Sequence, residues 1–102
     1  MPDRASVLPG GAEPYRTIGP FDAASLPAGL RRTHDLKAGT WGLLSLEAGS
    51  LSFVWEDEAG GRVELRAPAE IVVPPQAPHQ VEGDDFRLSI TFHRVEAAQA
   101  TP

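Results

Sequence analysis

The chain has no cysteine among its 102 residues. That removes disulfides, thiolate nucleophiles and sulfur-ligated zinc together, and leaves nitrogen and oxygen as the only donors for a metal. Long hydrophobic runs are missing as well. No apolar stretch approaches the ~20 residues that cross a bilayer, and no basic-then-apolar leader opens the sequence. Positive charge is scarce: 9 Lys and Arg stand against 14 Asp and Glu, for a net charge of −5. Arg31-Arg32 is the one adjacent basic pair. Phosphate recognition needs concentrated cations, so nucleic acid is not an expected partner. Helical apolar stripes, heptads, repeats and a glycine-rich phosphate loop are equally absent, which argues against a helix bundle and against a nucleotide cofactor. The expectation is one soluble, cytoplasmic domain with no membrane contact.

Proline and glycine are plentiful, ten of each, and they divide the apolar segments at the spacing of an all-β domain. Residues 1–14 read as a flexible N-terminal tail, 15–95 as the folded domain and 96–102 as a frayed end. Within the domain, Tyr15 to Ile18 reads as a short strand ended by Gly19-Pro20, and Phe21 to Gly29 as a loop. Leu30 to His34 and Trp41 to Leu46 read as strands, with a tight turn at Glu47-Ala48-Gly49-Ser50. Leu51 to Glu56 and Arg62 to Arg66 alternate around an Asp57–Gly61 hairpin loop, which puts Val63 and Leu65 on a buried face. Ile71-Val72-Val73 is an apolar run stopped by Pro74-Pro75. After a loop at Glu82–Asp85, Phe86 to Arg94 alternates most cleanly: Phe86, Leu88, Ile90 and Phe92 on one side, Arg87, Ser89, Thr91 and His93 on the other. Trp41 and Trp55 read as core anchors. Short antiparallel strands with two sheets' worth of apolar faces make a small jelly roll or barrel.

Chemistry concentrates on the three histidines. His34 stands at a strand end, and His79 follows a loop stiffened by Pro74, Pro75 and Pro78, the rigid presentation a ligand or general base requires. Forty-five residues separate the two, so they meet only if the β-fold closes on itself. Tight zinc takes four donors, or three plus water. A third would come from the last strand, as the His93 imidazole or, more weakly, the Thr91 hydroxyl. The serines lie in no nucleophile-elbow context, and the acidic runs at Glu56–Glu58 and Glu82–Asp85 read as solvated loops.

The run from Leu26-Pro27-Ala28 through His34-Asp35-Leu36-Lys37-Ala38-Gly39-Thr40-Trp41-Gly42 to Glu47-Ala48-Gly49-Ser50-Leu51 resembles the cupin-like family of the N-terminal domain of tellurite-resistance protein TehB. Val73-Pro74-Pro75-Gln76-Ala77-Pro78-His79 and Leu88-Ser89-Ile90-Thr91-Phe92 resemble its second half. The resemblance covers Tyr15 to Val95 and implies an all-β, cupin-type jelly roll, a double-stranded β-barrel with His34 and His79 directed into its mouth. It also implies that Thr91 stands where some relatives carry an acid, with His93 one step along the same face. Tellurite methylation, which in TehB belongs to a separate methyltransferase domain, is not expected of this chain.

Three readings follow, with a part in stress or tellurite response attached to the family. In the first, His34, His79 and His93 hold one divalent metal ion (Zn, Ni, Mn or Fe). In the second, a metal-free polar pocket lined by Lys37, Thr40, Gln76 and the histidines, with Thr91 as a further ligand-binding residue, takes a small molecule or anion. In the third, the domain serves as a homodimerisation module. No catalytic residue is assigned beyond His79 as the one candidate base.

Overall fold

The computed structural model describes residues 7–95; residues 1–6 of the expected tail and the expected frayed end at 96–102 lie outside them. The fold is all-β and antiparallel. Its strands are β1 Glu13–Asp22, β2 Thr40–Trp55, β3 Arg62–Arg66, β4 Ala69–Val73 and β5 His79–Arg94, with one 3-10 turn at Ala28–Arg31. The sheet order is β1-β5-β2-β3, and β4 also pairs with β2. The two 16-residue strands run side by side over almost their whole length, from Thr40↔Arg94 to Trp55↔His79. On the far edge of β2, β4 covers Gly42 to Leu46 and β3 covers Ser50 to Val54. The sheet curls into a cupin-like half-barrel without closing: among the described residues β1 remains one edge, and β3 and β4 together form the other.

The curl comes from two bulges, where reading the sequence alone suggests a turn and a loop. In β2 the inward residues are Leu44 and Leu46, then Leu51, Phe53 and Trp55, all buried. Even positions give way to odd ones, so a strand of period two must gain a residue to keep its apolar face inward. It does so at Glu47, where the register with β5 shifts between Leu46 and Ala48. β5 changes parity in the same way, from His79 and Val81 to Phe86 and Leu88, with its extra residue between Asp85 and Glu82. Gly49 and Gly83 carry the positive φ values there, 76° and 151°. Glu47–Ser50 is therefore a bend inside β2, and Glu82–Asp85 is part of β5.

Three further expectations are corrected. Leu30–His34 is not a strand: Pro27 and Gly29 favour the 3-10 turn, and only His34 pairs, through an isolated bridge to His79. β1 does not stop at Gly19-Pro20 but runs on to Asp22 through a register shift between Ile18 and Phe21. It also begins at Glu13, inside the stretch read as tail. Val63 lies opposite Phe53 in register yet is 37 % exposed, because among the described residues no strand lies beyond β3. β1 and the β3 part of the opposite edge are poor templates for another chain. β1 carries Pro14 and Pro20, and β3 is five residues long with Arg62, Glu64 and Arg66.

The core fills the concave side. Phe53, Leu46 and Leu88 are its largest fully buried side chains, and Leu26 from the β1–β2 connection covers it. Trp55 belongs to this core. Trp41 does not: it lies opposite His93 on the convex face and is half-buried.

Candidate functional site

The β1–β2 connection, residues 23–39, folds over the open end of the half-barrel and builds one side of a small chamber. It starts at Asp22, whose Oδ1 accepts from the backbone N–H groups of Ser25 (2.9 Å) and Ala24 (3.0 Å). Those bonds, Ser25's first, hold the Asp22 carboxyl below the usual carboxylate range. The turn points Leu26 inward, and the 3-10 turn places Leu30 beside the core. Arg31 then pins the connection to the barrel: its guanidinium donates to the Ala23 carbonyl (2.7 Å) and to the Gly83 carbonyl in the β5 bulge (3.1 Å), with the Phe86 ring beneath it. Beyond it, His34 and His79 exchange both backbone bonds, His34 N–H to His79 O at 3.0 Å and His79 N–H to His34 O at 2.8 Å. Gln76 N–H closes on the Leu36 carbonyl at 2.7 Å.

This bridge sets the two imidazoles against each other, ring centroids 4.2 Å apart and planes at 62°. His79 is 4 % exposed. Its ring stacks on Phe53 at 5.0 Å and meets the edge of Trp55 at 6.0 Å. Each histidine makes the same local bond. His34 Nδ1 lies 2.9 Å from the Arg32 carbonyl, and His79 Nδ1 lies 2.7 Å from the Ala77 carbonyl, both two residues back. A carbonyl oxygen cannot donate, so the proton of each neutral ring sits on Nδ1 and the lone pair on Nε2. Burial pushes the His79 pKa down to about 4. The bond to Ala77 opposes that shift, while the neighbouring His34 reinforces it. At neutral pH, His79 is therefore an uncharged acceptor and a weak base.

His34 and His79 line a cavity of about 50 Å³ whose other walls are apolar: Leu26, Leu30 and Leu36 from the connection, and Gly42, Phe53, Val73, Leu88, Ile90 and Phe92 among those from the strands. Gly42 keeps it open. A Cβ at that position would stand 3.2 Å from Leu36 Cδ1 and 3.6 Å from Val73 Cβ.

The other expected site residues lie elsewhere. Lys37 is exposed, and its carbonyl accepts from Thr40 N–H at 3.1 Å in the turn leading to β2; Thr40 is buried but does not line the chamber. Gln76 is exposed, at φ 60°. Thr91 faces away from the chamber, its Oγ1 3.0 Å from Thr17 Oγ1 on β1. His93 shares that convex side. It is buried opposite Pro14 and Trp41, and its Nδ1 lacks a hydrogen-bond partner. Strand alternation is the reason, because Ile90 and Phe92 take the chamber side. Among the described residues, no group of three or more His, Cys, Asp or Glu side chains is placed to hold a metal ion. Reading the sequence alone misses the leucines of the connection and Gly42. Leu26 and Leu36 stand in the sequence only as apolar residues without periodicity, and Leu30 reads as a strand residue.

Comparison with known proteins matches residues 16–90 to the TehB-like domain. Among solved structures the chain is similar to TehB from Haemophilus influenzae, at 28 % identity and a TM-score of 0.76 over 84 % of this chain. That alignment takes in 32 % of the TehB chain, so the present sequence spans only part of that protein's length. A protein from Escherichia coli strain K12 shares the fold at 22 % identity and a TM-score of 0.78, over 90 % of this chain and 99 % of its own. No curated protein matches the sequence.

Proposed function

The chain belongs to the TehB-like domain family, and from that premise we propose that it is a small-molecule-binding β-domain whose site is the chamber at His34 and His79. One observation carries this reading. Two imidazoles, each with Nδ1 tied to a backbone carbonyl, line a cavity that a single side chain at Gly42 would begin to fill. A domain selected only for a close-packed core has no use for a void beside two polar rings, since voids and unpaired polar groups both lower stability. Binding suits the site better than catalysis does. A histidine with a pKa near 4 is poorly matched to proton abstraction at neutral pH. A part in stress or tellurite response is proposed only at this level, as the sensing or holding of a small ligand.

A metal is the second reading, favoured by the same geometry. Metal-binding histidines anchor their other ring nitrogen on a carbonyl or carboxylate, as these two do. A divalent ion (Zn²⁺, Ni²⁺, Mn²⁺ or Fe²⁺) would be held by Nε2 of His34 and of His79. Two neutral nitrogens within apolar walls are nonetheless an incomplete set. Tight zinc needs at least one more protein donor, and His93 and Thr91 face the other way. The residues do not fit a resident dication. Edge-paired dimerisation, the third reading, meets blunted edges at β1 and β3, which leaves the five-residue β4 as the edge it would use.

Ligand-observed NMR with a library of small fragments on untagged protein tests the binding reading, alongside metal content after equilibration with Zn²⁺. Fragments are expected to bind the wild type and to lose affinity roughly tenfold or more in both His34→Ala and His79→Ala, with zinc substoichiometric throughout. Fragment binding indifferent to both substitutions would overturn the proposal. Stoichiometric zinc in the wild type, lost in both variants, would put the metal reading in its place.

A further inference from the structure

Resting on that reading, we infer that the chamber selects a compact, uncharged ligand whose head group carries two hydrogen-bond donors, of the primary-amide type, and that it rejects carboxylates and oxyanions of the same size. The inference begins with the polarity of the two rings. The Arg32 and Ala77 carbonyls fix the proton of each ring on Nδ1, which leaves Nε2 as an acceptor on both. With ring centroids 4.2 Å apart, two rings that each carry a bare Nε2 are close neighbours with no ring donor left to offer one another. One group with two N–H or O–H donors answers both rings at once. A group with lone pairs alone answers neither.

The walls supply the second half of the argument. Leucine, phenylalanine, valine and isoleucine make up the remainder of the lining apart from Gly42, and no Lys or Arg among the described residues lines it. Of the cations nearest His34 in sequence, Arg32 and Lys37 are exposed, and Arg31 is engaged with the Ala23 and Gly83 carbonyls. An anion entering here would lose its hydration and gain no counter-charge, the costly case for burial. An uncharged molecule with a short apolar body loses little and gains contact with the leucines.

Size sets the remaining limit. An apolar cavity of about 150 Å³ holds benzene. The 50 Å³ here therefore suits a body of roughly two to four heavy atoms, and Gly42 decides that limit. A methyl at Gly42 would point at Leu36 Cδ1 and Val73 Cβ, with Ile90 Cγ2 at 3.9 Å. Because Leu36 Cδ1 is the end of a flexible side chain, Gly42→Ala should fold with a smaller chamber.

Acetamide and acetate are nearly isosteric, and they differ here in charge and in donors. NMR titration of the ¹⁵N-labelled full chain at neutral pH with each probe, and with Zn²⁺ in a third sample, tests the inference. Acetamide is expected to shift the Gly42 amide and the His34 and His79 ring signals, while acetate leaves them in place. Gly42→Ala should weaken acetamide roughly tenfold; if that variant does not fold, Leu36→Phe narrows the chamber from the other side. Acetate binding as well as acetamide, or acetamide unaffected by the narrowed chamber, would overturn the inference. If neither probe binds while Zn²⁺ moves both rings, the ligand class is wrong and the site stands. If no probe reaches the rings, the binding reading fails too.

Discussion

Gly49→Ala is expected to lower the unfolding free energy by about 4 kcal/mol, read as a large fall in the urea midpoint followed by circular dichroism. Two costs combine. Gly49 sits at φ 76°, where any other residue is strained by about 1–3 kcal/mol. The added methyl would also lie 2.0 Å from the Asp85 carbonyl oxygen and 2.9 Å from Phe86 Cα. Those atoms are backbone of β5 and cannot rotate away, so overpacking adds about 1–3 kcal/mol. For a small domain this is a large share of the total stability. Gly29→Ala is the control. Nothing lies within 4 Å of its added Cβ, and it should change stability by no more than about 0.5 kcal/mol. A Gly49→Ala protein as stable as that control would mean that the two long strands are not held together at their bulges as described.

Acidification from pH 7.5 to 4.5 should cost up to about 3 kcal/mol through His79 alone. The folded state holds this ring at a pKa of about 4, mainly because burial disfavours the cation. The unfolded chain binds the proton near 6.5. Between those values the unfolded state carries more protons, so stability rises with pH. The contribution is therefore complete above about pH 6.5, is lost as pH falls toward 4, and changes no further below that. Urea unfolding across this range, compared with His79→Leu, isolates the effect: the wild type should steepen toward acid and the variant should stay much flatter. Equal slopes would show that His79 is not buried neutral against Phe53.

Much of the architecture was legible in the sequence, because alternation marks strands directly. Phe86 to Arg94 and Arg62 to Arg66 form strands as their patterns predict, and Ile71 to Val73 ends at Pro74. What misled was the break in parity. Between Leu46 and Leu51, a turn and a bulge both restore the inward face, and Glu-Ala-Gly-Ser suits either. The choice is made by β5, which stays paired across the break, and that contact is non-local. The same holds for Glu82 to Asp85. The site divides along similar lines. His34 and His79 could be named because histidines are rare here and prolines fix one of them. The alternation that set His93 and Thr91 opposite Ile90 and Phe92 was equally visible. Which face looks into the chamber was not, since that depends on where the β1–β2 connection folds. Leu26 and Leu36 follow neither strand nor helix period, and Leu30 reads as the start of a strand that does not form, so nothing local announced them as walls.

The account stands most directly on the tautomers of His34 and His79, because the proposed ligand class follows from them. Long-range ¹H–¹⁵N correlation of the imidazoles at neutral pH measures those tautomers without a ligand. Both rings should show Nδ1 protonated and Nε2 bare, with the Nε2 signal of His79 unchanged well below pH 6. If either ring carries its proton on Nε2, or if His79 titrates near 6.5, the paired acceptors do not exist and the proposed site is contradicted.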